Sequence, residues 1–232
     1  SLTNDNWSRV FILSGDSLNN KIIFYQNDNT NGLLLGIHNG GNTAYVLASN
    51  YIDLNTWTYV AVTFNNSTRE VKIYKNGILV ITDTLNYSIP NSTRNNSNIG
   101  RDPDGTEYFQ GSMDDFRIYN TVLTSNQILN IVNQPPITIP TPVVWMKFNN
   151  KFHDEQNNPV TVTGDITFDT IEKRFGTHSA NFNGSSDYIS ISNPSQSLTG
   201  EISFSLWFRN TSTDVTSNDG STAAHLHDTI LS

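Results

Sequence analysis

The chain has 232 residues and a net charge of -8 at pH 7, with 21 Asp and Glu against 13 Lys and Arg. A chain this acidic is poorly suited to nucleic acid or to anionic lipid, because both carry negative charge themselves. It contains no cysteine, which excludes disulfides and thiolate metal sites. No apolar run approaches the ~20 residues that span a bilayer. We therefore expect a protein that neither binds nucleic acid nor inserts into a membrane.

Short runs of alternating apolar and polar residues fill the first part of the chain, separated by turns rich in Asn, Gly and Asp. This pattern is typical of an antiparallel β-sandwich or barrel. The predicted strands are RVFILS (9–14), KIIFYQ (21–26), GLLLGI (32–37), TAYVLA (43–48), WTYVAVTF (57–64), EVKIYKN (70–76) and ILVITDT (78–84). Between the last two, Asn76-Gly77 favours a tight hairpin turn.

The stretch GSMDDFRIYN (111–120) begins a further strand with two adjacent carboxylates. Strict alternation predicts that Asp114 lies on the face of Phe116 and Asp115 on the face of Arg117. Carboxylates on opposite faces cannot work together as general acid and base. Two interpretations of Asp114 remain, since it can accept backbone N–H bonds from the loop at the start of the motif or bind a structural cation.

The segment LTSNQILNIV (123–132) predicts one short helix near 124–132, with Thr124 or Ser125 as its N-cap. The residues expected on its packing face are Ile128, Leu129 and Val132. NQPPITIPTP (133–142) follows with four prolines, which favour an extended spacer. Strands resume after it, and they are VVWMKF (143–148), SANFNG (179–184), DYISIS (187–192) and EISFSLWFRN (201–210).

Three blocks of the sequence resemble laminin-G-like domains of the concanavalin A-like jelly-roll type. NTWTYVAVTFNNSTREVKIYKNGILV (55–80) is similar to the family's Trp-containing strand and its Asn-Gly hairpin. Residues 99–131 are similar to its closing strand and terminal helix, and residues 143–210 to its opening strands. The resemblance implies an all-β, antiparallel β-sandwich with one short helix, but it does not by itself imply an activity.

The blocks stand in an unusual order, because the opening strands follow the closing ones. TILS (229–232) also resembles FILS (11–14), which suggests a repeat of about 218 residues. We therefore predict that residues 1–133 are the C-terminal portion of one jelly roll, 134–142 a linker, and 143–232 the N-terminal portion of the next. A circularly permuted single domain is the alternative. The portions would complete a sandwich within one chain or with a neighbouring copy.

The resemblance implies a non-catalytic adhesion or recognition module, a repeat unit of a larger extracellular, cell-surface or virion-surface protein. Its expected partner is a glycan or an extracellular protein, because exposed aromatic rings and amides near loops can contact sugars. The candidate ligand-binding residues are Trp7, Asn39, Tyr87, Tyr108 and Phe109. The alternative is a structural filament or coat subunit whose copies assemble head to tail. No enzyme is expected, since the paired Glu and Asp pattern of glucanases is missing.

Calcium is the one cofactor that the sequence suggests. RDPDGTEYF (101–109) has an Asp-x-Asp-Gly spacing that is compatible with a cation held by several oxygens, although it lacks the full EF-hand pattern. Laminin-G-like domains often carry calcium at the rim of the sandwich, which favours the same interpretation. The candidate ligands are Asp16, Asp102, Asp104 and Asp114.

Overall fold

The computed structural model describes residues 8–15, 19–27, 31–105, 107–133, 139–192, 198 and 200–211. Strands β1 to β8 are Arg9–Ser14, Lys21–Asn27, Gly32–Asn39, Asn42–Ala48, Thr58–Asn65, Glu70–Lys75, Ile78–Thr84 and Ser97–Ile99. Strand β9 is Gln110–Tyr119 and helix α1 is Ser125–Asn133. Strands β10 to β15 are Val144–Met146, Val160–Thr163, Thr167–Asp169, Ser179–Asn183, Tyr188–Ile191 and Ile202–Asn210.

The strands form two antiparallel sheets that pack face to face. The first sheet has the order β11-β14-β8-β1-β2-β3-β4. The second has the order β12-β13-β9-β15-β5-β6-β7, and β10 also pairs with β9. The predicted all-β antiparallel sandwich is therefore confirmed. Three short strands, β8, β11 and β12, are absent from the sequence prediction, because three or four residues are too few to show a period.

Strands from both sides of the proline-rich segment are interleaved in both sheets. β15 lies between β9 and β5, and β14 lies between β8 and β11. Both strands that pair with β15 thus lie more than 80 residues earlier in the chain. The tandem register and its boundaries at 133 and 143 stay predictions, because pairing within one chain does not test them.

Aromatic side chains fill the space between the two sheets. Phe11 contacts Phe204 edge to face at 4.6 Å between ring centroids, and Phe24 contacts the same ring at 4.8 Å. All three are at most 1% exposed. Burial of each such ring contributes roughly 1.5–3 kcal/mol, so this cluster joins the two sheets firmly.

Helix α1 covers part of the outer face of the eight-stranded sheet. It begins with a capping box, in which Gln127 N–H donates to Thr124 Oγ1 at 3.3 Å and Thr124 N–H donates to Gln127 Oε1 at 2.8 Å. Ile128 and Ile131 are buried, whereas Leu129 is 41% exposed. The predicted packing face is thus wrong at Leu129, because the sheet beneath sets the helix rotation. Within the described ranges, no helix is long and apolar enough to cross a membrane.

Candidate functional site

Both carboxylates of the 111–120 motif lie on the outer face of the eight-stranded sheet. Along β15, Asp114 is opposite Trp207 and Arg117 is opposite Ser205, so Asp115 and the residue after it share one partner. Asp115 has a φ of 51°, as expected at a β-bulge. The prediction that the two carboxylates lie on opposite faces is therefore wrong, because the inserted residue interrupts the alternation.

Each carboxylate of this bulge anchors a segment that follows the proline-rich stretch. Asp114 Oδ2 accepts N–H bonds from Arg174 at 2.9 Å and Phe175 at 2.6 Å. Asp115 Oδ1 accepts bonds from Arg117 Nε at 2.9 Å and Trp145 Nε1 at 2.8 Å. Asp114 thus accepts backbone N–H bonds, although the donors come from residues 174–175 and not from the loop at Gly111.

The acidic loop after β8 is neutralised by an arginine from β1. Arg9 Nε contacts Asp102 Oδ2 at 2.9 Å, and the same guanidinium forms an ion pair with Glu107. Asp102 is only 2% exposed, so this charge needs a buried partner. The positive charge in this loop is therefore the guanidinium of Arg9, where the sequence suggested a metal ion. The partner is 93 residues away in the chain, which is why the local pattern did not reveal it.

The guanidinium of Arg9 begins a chain of aromatic contacts across β2, β3 and β4. We call this set the Arg9 cluster, and its members are Arg9, Tyr25, His38, Tyr45, Asp102 and Glu107. Arg9 Cζ lies 4.3 Å from the centroid of the Tyr25 ring, and the Tyr25 hydroxyl is hydrogen-bonded to Tyr45. Burial, the largest influence, raises the pKa of both tyrosines, so both remain protonated at neutral pH.

Tyr45 is the exposed ring of the Arg9 cluster, with 37% of its surface accessible. A glycine on the neighbouring strand makes its position possible. A Cβ at Gly36 would lie 2.8 Å from Tyr45 Cε1 and 2.7 Å from Ile23 Cγ1. Since real Cβ atoms do not approach so closely, only glycine leaves room for the ring across β3. The result is an aromatic surface on the outside of the seven-stranded sheet.

Two titratable groups of the Arg9 cluster have shifted pKa values. His38 packs edge-on against Tyr45 at 6.0 Å between centroids, and its Nδ1 lies 3.2 Å from Thr43 Oγ1. Burial, followed by the charges of Lys21 and Arg9, lowers the pKa of His38 to about 4. His38 Nε2 is buried and has no hydrogen-bond partner among the described residues. Burial raises the pKa of Glu107 to about 7, against the opposing effect of Arg9.

The predicted calcium ligands do not come together. Asp102 is bound by Arg9 and Asp114 by two backbone N–H groups, whereas Asp104 is exposed in the loop. The part of the chain that the structure describes contains no group of three or more His, Asp or Glu residues arranged for a metal ion. The residues present do not fit calcium at these three positions. Asp16 lies outside the described residues.

The predicted ligand-binding residues are also dispersed. Phe109 is 1% exposed and packs edge to face on Phe182 at 6.1 Å, so it belongs to the core and offers no surface to a ligand. Tyr87 is half-buried against the core. Asn39 Nδ2 donates to the Ser88 carbonyl at 3.1 Å.

Two of these predicted residues are neighbours in sequence of the Arg9 cluster. Tyr108 is half-buried and follows Glu107, while Asn39 follows His38. Trp7 lies outside the described residues. The sequence signal that was overlooked is Tyr45, which stands opposite Gly36 in the register of β3 and β4. When a glycine in one strand is paired with an aromatic residue in the next, the aromatic ring has room to lie across the glycine.

A comparison with protein families agrees with this architecture. A laminin-G family model, described as the concanavalin A-like lectin/glucanases superfamily, matches residues 1–129, which is more than half of the chain. No curated protein and no solved structure matches the chain significantly.

Proposed function

The chain belongs to the concanavalin A-like lectin/glucanases superfamily, and on that premise we propose that it is a non-catalytic binding module that recognises a glycan through the Arg9 cluster. The module acts on the surface of a cell or particle, or in the extracellular space. If the partner is an extracellular protein and not a glycan, the chain should bind no glycan in the experiment below.

The exposed ring of Tyr45 is the observation that carries this proposal. The C–H faces of sugars stack on accessible aromatic rings, and a few placed polar groups then select the hydroxyls. His38 is an uncharged imidazole packed edge-on against this ring, and Glu107 of the same cluster supplies an acceptor 21% exposed at its side chain. An accessible ring with polar groups in the same cluster matches what sugar recognition requires.

The same cluster is unsuited to glycoside hydrolysis. Hydrolysis needs one carboxyl group to give a proton and a second carboxylate to attack or to activate water. Here Asp102 and Glu107 are both bound by the guanidinium of Arg9, and Asp102 is 2% exposed. Neither group is free to serve in this way, which supports binding without catalysis.

A glycan array tests the proposal with the purified chain and two matched variants. Tyr45→Ala removes the ring, and Leu47→Ala removes another exposed side chain of β4, 39% accessible, as the control. We expect binding to be lost in the first variant and kept in the second. Equal loss in both, or no glycan bound by the unmodified chain, would overturn the proposal. Repeating the array with a chelator tests the predicted dependence on calcium.

A structural filament or coat subunit is the second candidate function. It is favoured by the position of β15, which completes the sheet between β9 and β5 although it comes from beyond the proline-rich segment. The same pairings made between copies would propagate head to tail. Light scattering and electron microscopy of the chain at increasing concentration test this, and a monomer throughout would exclude it.

A further inference from the structure

The Asp114–Asp115 pair of β9, which the proposed function does not use, has an unusual hydrogen-bond balance. Both residues are 0% exposed. Asp114 Oδ2 accepts hydrogen bonds from the backbone N–H groups of residues 174 and 175. Asp115 Oδ1 accepts hydrogen bonds from the side chains of Arg117 and Trp145. The remaining oxygens, Asp114 Oδ1 and Asp115 Oδ2, are buried without a hydrogen-bond partner among the described residues.

Two ionised carboxylates next to each other in a closed environment are unfavourable for two reasons. Their charges repel, and each buried acceptor without a donor costs the free energy of its lost hydration. A single proton removes both problems, because it cancels one charge and supplies one donor. Carboxyl pairs that share a site retain a proton for this reason.

The surroundings favour a proton over a metal ion in this position. Two cations already face Asp115, and they belong to different elements. Arg117 is on β9 itself, and Lys147 follows β10 with its Nζ 4.1 Å from the Trp145 ring. Arg174 contacts Asp114 through its backbone N–H, whereas its guanidinium packs on the ring of Trp207. A divalent ion would place two positive charges beside these groups. A proton adds only one, and it cancels the charge of one carboxylate. The other ionisable side chains facing Asp115 are the buried phenols of Tyr59 and Tyr119.

We propose that Asp114 and Asp115 hold one proton between them at neutral pH, and that this proton makes the fold around the pair, which is a clasp between β9 and residues 144–175, more stable in acid. The proton comes from solvent and resides on Asp114, because Asp115 is paired with Arg117. The clasp joins portions of the chain that lie on opposite sides of the proline-rich segment. Its strength therefore adds to the strand pairing that holds these portions together.

The direction of the pH dependence follows from burial. Burial raises the pKa of Asp114 from 3.8 to about 7, against the N–H bonds from Phe175 and Arg174, which lower it, and the neighbouring Asp115 charge raises it further. Since the folded value is above the unfolded one, the folded chain binds the extra proton between these two values. The stabilisation is complete below the unfolded pKa and is lost as the pH rises through about 7.

Asp114→Asn tests the proposal, because the amide keeps the acceptor for residues 174 and 175 and supplies its own donor. We compare urea unfolding of both chains at pH 5 and pH 8. On going to pH 8, the unfolding equilibrium constant of the unmodified chain should rise about tenfold or more relative to that of the variant. His38 and Glu107 titrate in both chains, so their contributions cancel.

Two further measurements keep the outcome decisive. Asp114→Ala removes the acceptor as well, so it should be less stable than Asp114→Asn at both pH values. The infrared difference spectrum between the unmodified chain and Asp114→Asn at pH 6 should show one protonated carboxyl C=O stretch from Asp114, because the band of Glu107 is present in both chains and cancels. The proposal is wrong if the Asp114 band is absent from the difference spectrum, or if Asp114→Asn changes stability equally at pH 5 and pH 8.

Discussion

The two outer faces of the sandwich carry similar chemistry with different accessibility. Each has a pair of carboxylates beside an arginine that contacts an aromatic ring, with Arg9 over Tyr25 on one side and Arg117 over Trp145 on the other. Arg9 bridges both of its carboxylates, and the cluster ends in a ring that is 37% exposed. Arg117 contacts only one carboxylate, and that pair is fully buried.

The difference shows that residue type does not determine the role of a charged cluster. Where the cluster reaches solvent, as at Tyr45, its rings and polar groups are available to a partner. Where it is closed, as at Asp114 and Asp115, the same groups hold segments of chain together. The following substitutions separate the two roles, from the largest expected effect to the smallest.

Asp115→Ala should cause the largest loss, because it leaves the 5%-exposed guanidinium of Arg117 without its carboxylate. Removing one partner of a buried ion pair costs about 3–5 kcal/mol of unfolding free energy. Urea denaturation measures this cost. Asp83→Ala, which removes an exposed carboxylate from β7, is the control and should change little. A loss at Asp115 no larger than at Asp83 would mean that the closed face is not a structural junction.

Arg9→Met should cause a smaller loss of about 2 kcal/mol, since Glu107 is partly solvated and only Asp102 is left buried. Arg69→Met removes an exposed arginine and serves as the control. Glycan affinity should fall as well, because the Tyr25–Tyr45 contact depends on the guanidinium. Retained affinity with reduced stability would place the binding surface elsewhere.

Gly36→Ala should destabilise the chain by about 1 kcal/mol, because the added methyl displaces Tyr45 or Ile23. Its effect on glycan binding should be larger than its effect on stability, since it moves the exposed ring. Gly200→Ala, where a Cβ would meet nothing within 4 Å, is the matched control. Calorimetry of binding and of thermal unfolding separates the two effects.

Protonation of His38 should destabilise the chain in acid, in the opposite direction to the clasp at β9 and to Glu107 of the same cluster, whose pKa is raised to about 7. The folded pKa of His38, about 4, is below the ordinary value of 6.5. Its contribution to stability is therefore present above 6.5 and is lost as the pH falls through about 4. An NMR titration of the His38 ring measures the shift. A midpoint near 6.5 would show that the imidazole is solvated and not packed beside Tyr45.

Much of the fold follows from local pattern in the sequence. Short apolar runs between turn residues place strands such as Arg9–Ser14 and Ile78–Thr84 at their observed bounds, and Thr124 caps the helix as its residue type predicts. These features depend on neighbours within a few residues, which is the range that a pattern reports. The site was less predictable, because the contacts of Arg9 that assemble it reach Asp102 and Glu107, which are far away in the chain.

The sequence alone determined the antiparallel sandwich and its turns, since alternation and turn residues act over short distances. Only the tertiary structure decided which side chains meet. The bulge at Asp115 turned two carboxylates to one face, and Arg9 reached Asp102 across 93 residues. Both depend on strand register, and register is selected by the packing of the whole sandwich and not by any one segment.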